Sequence, residues 1–171
     1  MGIFTHEFAT PSSVAPARLY KAMALDFHNL FPKIVDSIQC VETIEGNGAA
    51  GTIKKITLVE EIRTKKKDIV YILIMIEIYV CFEEVDEAKW VYNYSIIGGV
   101  GLPETWEKIS FETIVMEGPK EEGGSIRKVN IKYFTKGDAE VCDEVLKSNQ
   151  SRAEGLLKFI EAYLLANPHY V

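Results

Sequence analysis

The sequence is short of the features that announce many common activities. Its three cysteines, Cys40, Cys81 and Cys142, lie far apart and form no CxxC pair. Neither a metal knuckle nor a disulfide framework is predicted, and free thiols in a reducing compartment are. Its three histidines, His6, His28 and His169, fall in no recognisable catalytic spacing. Basic charge is in deficit: 19 Lys and Arg face 25 Asp and Glu, a net charge of −6. That argues against a dedicated DNA binder, whose affinity comes largely from Lys and Arg at phosphates. No run of about 20 apolar residues offers a membrane span. The first residues, Met1 to Glu7, lack a basic start followed by an apolar core, so neither secretion nor a membrane partner is expected. No repeat and no Pro/Gly/Ser linker divides the 171 residues, and no metal ion or other cofactor is implied. What remains, at 47% hydrophobic, is a soluble domain over residues 1–171 with enough apolar mass for a core, expected to be monomeric and cytoplasmic, with the nucleus also open.

What is present reads as helix, then strand, then helix. Leu19, Ala22, Met23 and Phe27 recur at helical spacing behind Pro16, which suits a first helical turn. Leu30, Phe31 and Ile34 continue the signal, and Pro32 predicts a break, giving two short helices. From Cys40 to Phe134 the texture is β. Segments 53–59, 90–96, 108–115 and 126–134 are β-branched and aromatic, with glycine turns such as Gly98-Gly99 and Gly123-Gly124 between most of them. Such short connections favour an antiparallel meander. Ala153, Leu156, Leu157, Ile160 and Leu164 then follow amphipathic helical spacing, predicting a helix from about Asp143 to Ala166 that stops near Pro168. Two short helices, a curved sheet and one long terminal helix make an α+β domain.

The segment Glu45-Gly46-Asn47-Gly48-Ala49-Ala50-Gly51-Thr52 invites comparison with a phosphate loop. A nucleotide P-loop needs a lysine after its last glycine and a helix behind it. Gly51 runs straight into Thr52 and a strand follows, so Gly46, Asn47, Gly48 and Gly51 read as a glycine-rich turn between strands.

On the strand after that turn, period-two alternation puts Lys54 beside Ile56 and Leu58. It also puts Trp90, Tyr92, Tyr94 and Ile96 on one face of another strand. A lysine and sparse hydroxyls on an apolar wall suit a small-molecule pocket. The same pattern also suits ordinary core aromatics with a lysine that snorkels to water. Pattern alone leaves both open.

Glu45 to Lys55, Lys136-Gly137-Asp138 and the ending Ile160 to Pro168 resemble the intracellular plant pathogenesis-related class-ten proteins, the family of the major birch-pollen allergen, within the START-like helix-grip superfamily. Asp86-Glu87-Ala88, Tyr92 to Ile96 and Leu102-Pro103-Glu104-Thr105 resemble its legume-type members, and Gly2-Ile3-Phe4 and Pro16 to Ala22 extend the match over nearly the whole chain. The resemblance implies the helix-grip fold: a seven-stranded antiparallel sheet around a long C-terminal helix, two short helices and an internal hydrophobic cavity. It implies a defence or stress-related protein binding amphipathic plant metabolites or hormones: flavonoids, cytokinins, brassinosteroids or abscisic acid. It also assigns ligand contact to Lys54, Tyr92 and Tyr94. A weak ribonuclease activity proposed for the family would map to Lys54, Glu107, Glu161 and Tyr163. Abscisic-acid receptors share the fold and inhibit a protein phosphatase through gate loops. Gly101 to Thr105 is only superficially similar to such a gate, because it follows the strand holding Tyr94.

Residues 61–82 depart from the family pattern, which passes here through a short glycine-rich hairpin. This chain carries roughly eleven residues more than that connection needs. Lys65-Lys66-Lys67 and the apolar run Ile69 to Val80 replace it. Two readings are open, a genuine long hairpin or translated intron. A strand without clear alternation has a weakly specified register, and an exposed edge of this kind would promote strand-mediated association.

Overall fold

The computed structural model describes residues 2–63, 71–119 and 123–170. Strand β1 (Gly2–Ser12) leads into helix α1 (Pro16–Tyr20). Pro16 sits at the start of α1, where its missing N–H costs nothing. The helical path then widens into a π-turn over Lys21–Leu25, marked by the Asp26 amide reaching back to the Lys21 carbonyl at 2.9 Å. Helix α2 (Phe27–Ile34) follows.

The break expected at Pro32 is instead at Asp26, and Pro32 lies inside α2. A proline removes one rung of the helix, but rungs survive on either side of it. The Leu30 amide bonds the Asp26 carbonyl at 3.0 Å and the Val35 amide bonds the Phe31 carbonyl at 2.9 Å. Phe27, Leu30 and Phe31 are buried, and their packing outweighs the lost bond.

The sheet strands follow as β2 (Ile38–Glu45), β3 (Ile53–Arg63), β4 (Tyr71–Asp86), β5 (Val91–Gly99), β6 (Trp106–Glu117) and β7 (Ser125–Thr135). All seven form one sheet in the order β1-β7-β6-β5-β4-β3-β2, and every pair is antiparallel. Six strands therefore meander, and β1 alone pairs out of sequence, from Gly2 against Thr135 to Ser12 against Ser125. Helix α3 (Asp143–Ala166) matches the predicted bounds. Its 24 residues make a rod of about 36 Å. Leu157, Ile160 and Leu164 form its buried stripe.

Alternation is clearest on β7. Ser125, Arg127, Val129, Ile131, Tyr133 and Thr135 are buried, while the residues between them are less so. The inner face of the sheet, α1, α2 and the Leu157 side of α3 enclose the main apolar cluster. A second cluster around Trp106, Ile131 and Tyr133 packs under Val145, Leu146 and Ala153.

Strands β3 and β4 pair without a slip from Ile53 against Cys81 to Arg63 against Tyr71. Lys65-Lys66-Lys67, Ile69 and Val70 lie outside the described residues. The apolar run does acquire two faces: Met75 and Glu77 are exposed, whereas Ile76, Ile78 and Val80 are more buried. From Ile78 to Cys81 β4 is an interior strand held on both sides. Cys40, Cys81 and Cys142 are all free thiols.

Candidate functional site

A cavity of about 350 Å³ lies between the inner face of the sheet and the helices. Neighbouring strands supply its floor through alternating inward positions: Ile56 and Leu58 from β3, Ile78, Val80 and Phe82 from β4, Tyr92, Tyr94 and Ile96 from β5, Ile109 and Phe111 from β6. Met23, Phe27 and Phe31 come from the short helical segment, and Asn149, Arg152, Ala153 and Leu156 from α3. Apolar and aromatic walls of this kind favour a molecule that leaves water for hydrocarbon surroundings.

The aromatics are ordered against one another. Tyr94 stacks on Phe111 with centroids 4.8 Å apart and planes 10° from parallel, and lies nearly parallel to Tyr92 at 6.3 Å. Phe82 lies 5.4 Å from Phe27 and 6.1 Å from Tyr94. Burial pushes the phenols of Tyr92 and Tyr94 above the ordinary tyrosine range, with Arg127 pulling the other way on both. Both hydroxyls are therefore neutral donors at physiological pH.

Lys54 shares a strand face with Ile56 and Leu58, as alternation requires, but it is not one of the cavity-lining residues. Its side chain is 8% exposed, and its Nζ stands 4.8 Å from the Phe27 ring centroid and 5.7 Å from that of Phe82. Among the described residues no carboxylate pairs with it. Desolvation lowers its pKa, so the ammonium is held by aromatic faces rather than by a counter-ion.

Trp90 departs from the strand-face expectation. It precedes β5 in a turn with φ at 54°, a left-handed conformation that interrupts alternation. Its carbonyl accepts from the Val115 amide at 3.0 Å. The side chain packs against the main core, and Trp90 is absent from the cavity lining.

The residues of the ribonuclease alternative are dispersed among several neighbourhoods. Lys54 lies over Phe27 and Phe82, and Glu107 is exposed at the start of β6. Glu161 accepts from the Ser13 hydroxyl at 3.1 Å, and Tyr163 packs edge-on to Tyr170. Among the described residues no hydrogen bond or ion pair joins any two of these four.

The glycine-rich turn folds on itself. Gly46, Gly48 and Gly51 adopt φ of 95°, 95° and 90°. The Gly48 amide donates to Thr52 Oγ1 at 2.8 Å and the Ala49 amide to Asn47 Oδ1 at 3.2 Å. The Gly51 amide donates to the Phe82 carbonyl at 2.7 Å. These amides are already partnered, which leaves them no role as an anion cradle. Among the described residues no cluster of three or more His, Cys, Asp or Glu could hold a metal ion, and no helix is long and apolar enough to cross a membrane.

Sequence reasoning missed Arg127. The signal was available: on β7 it shares the inward face with Val129, Ile131 and Tyr133, an ionic side chain where alternation demands an apolar one.

A sheet gripping one long helix over an apolar chamber is the helix-grip architecture. The chain matches the pathogenesis-related protein Bet v 1 family over residues 1–167 and belongs to it. It is 52% identical over 170 residues to a class-10 pathogenesis-related protein 1 of Medicago truncatula, covering 99% of this chain and 100% of that one. A pathogenesis-related protein 10 of Glycine max is 50% identical over 170 residues, with the same coverage. The crystal structure of Ara h 8.0201 superposes with a TM-score of 0.81 at 39% identity, covering 97% of this chain and 100% of that one.

Proposed function

We propose that this pathogenesis-related protein is an intracellular carrier that binds small amphipathic plant metabolites, hormones or flavonoids among them, in the cavity between the sheet and α3. The observation that carries this reading is the cavity: about 350 Å³, walled by aliphatic and aromatic side chains. Transfer of a ligand's apolar surface from water supplies affinity at roughly 25 cal/mol per Å². Because that term is non-directional, selectivity among apolar bodies is loose, and the few polar groups on the wall decide orientation.

The test is displacement of a neutral fluorescent probe, N-phenyl-1-naphthylamine, from the purified protein across cytokinins, brassinosteroids, abscisic acid and flavonoids. Saturable displacement at micromolar concentrations is expected for at least one class. A folded protein that fails to take up the probe would overturn the carrier reading.

A further inference from the structure

Arg127 brings the one buried charge among the residues lining the largely apolar chamber. Arg127 is 3% exposed and lines the cavity. Its Nη2 donates to the Ala153 carbonyl of α3 at 2.7 Å, while its Nε is buried without a hydrogen-bond partner. Among the described residues no carboxylate pairs with it. A guanidinium keeps its charge inside a protein and offers five donors in a planar fork. A buried charge without a counter-ion is costly, and a buried donor without an acceptor adds to that cost.

The neighbouring side chains have the same deficit. Thr10 Oγ1 and Ser125 Oγ are also buried without partners. Thr10 faces Arg127 across the β1–β7 ladder, and Ser125 precedes it by two residues on the same inward face. Three of the four such atoms among the described residues thus gather at one corner of the sheet. Arg152 and Asn149 add polar lining from α3, and neither brings negative charge. Lys54, the other buried cation, lies on β3, four places from β7 in the strand order, and is already occupied by the faces of Phe27 and Phe82.

We infer that the ligand of this cavity carries a carboxylate and that Arg127 is its anchor. The apolar body of the ligand then lies along Tyr94 and Phe111, within reach of the same chamber. A carboxylate matches the guanidinium fork in shape and charge, and it supplies the acceptor that Nε lacks. The inference rests on the carrier reading, and it narrows the ligand class to amphipathic acids.

The test compares decanoate with 1-decanol as competitors for bound N-phenyl-1-naphthylamine at pH 7.5. On the parent protein decanoate is expected to bind at least tenfold more tightly than decanol, the scale of one charge-assisted hydrogen bond. Arg127→Leu should bring the ratio close to one. Arg127→Gln, which keeps a polar side chain of useful length, should do the same and guards against a fold defect in the leucine variant. Independently of any variant, the arginine side-chain Nε–H spectrum of the parent should show the buried resonance moving with decanoate and staying in place with decanol. A ratio near one on the parent, a ratio that survives both substitutions, or an unmoved resonance would overturn the acid anchor while leaving the carrier intact. Failure of the neutral probe itself to bind would overturn the carrier reading instead.

Discussion

Lys54 and His28 are cations that burial drives toward their neutral forms. Desolvation lowers Lys54. Desolvation also lowers His28, whose pKa falls further beside the Lys54 charge and is only partly restored by Asp26. For each group the folded pKa lies below the unfolded one, so between the two values the unfolded chain binds more protons and stability rises with pH. For His28 that window lies below its ordinary value of 6.5. Urea denaturation should show stability falling as pH drops through this range, and His28→Gln should flatten the slope. Asp26 acts in a separate window. Burial would raise its carboxyl, but the Tyr170 hydroxyl at 2.6 Å and the Asn29 amide at 2.7 Å outweigh that and hold it below 3.8. Its contribution is present above 3.8 and is lost as pH falls through the depressed folded value. Lys54→Met removes a buried charge yet keeps a chain for the Phe27 and Phe82 rings. It should stabilise the protein by about 1 kcal/mol, read as a Tm about 3 °C higher. A lower Tm would mean that the aromatic cage outweighs desolvation.

Between elements, one tie runs through Arg18 of α1. It donates to the Leu164 carbonyl at 3.1 Å, the Asn167 carbonyl at 3.0 Å and the Tyr170 carbonyl at 3.1 Å. These bonds satisfy orphan carbonyls at the end of α3 and fix the chain beyond it. Arg18→Ala should cost about 2 kcal/mol and raise hydrogen exchange in the last turn of α3. Helix α3 was legible in the sequence because Leu157, Ile160 and Leu164 repeat at its period and Pro168 ends it. The inward Ile56, Leu58, Tyr92 and Tyr94 were legible for the same reason, a strict period of two. Pro32 misled, because the propensity of one residue lost to the packing of Phe27, Leu30 and Phe31. Trp90 misled because its left-handed φ lies outside any alternation rule. The significance of Arg127 required knowing that Ala153 and no carboxylate would face it, which is tertiary information. The register of β3 on β4 is unbroken, and the choice between a long hairpin and translated intron is read from mature transcripts. The intron reading expects mature transcripts to lack codons for much of Arg63 to Val80, and finding those codons would overturn it in favour of the hairpin.

At the scale of the whole molecule the cavity couples ligand to stability. A ligand that binds only the folded state, present at 100 times its Kd, adds about 2.7 kcal/mol, or a Tm rise of about 8 °C for a chain of this size. Thermal shift on the parent protein should rank acids above their neutral counterparts if Arg127 anchors them. The pairing of β1 with β7 has a further consequence. Gly2 and Thr135 meet across 133 residues of chain, so during synthesis β1 has no sheet partner until β7, the last strand of the sheet, has followed it. Helix α3, which covers the cavity, emerges later still. Vectorial synthesis can lay down the β2–β6 meander early, but the chamber is walled only once α3 has been made and has docked on the sheet.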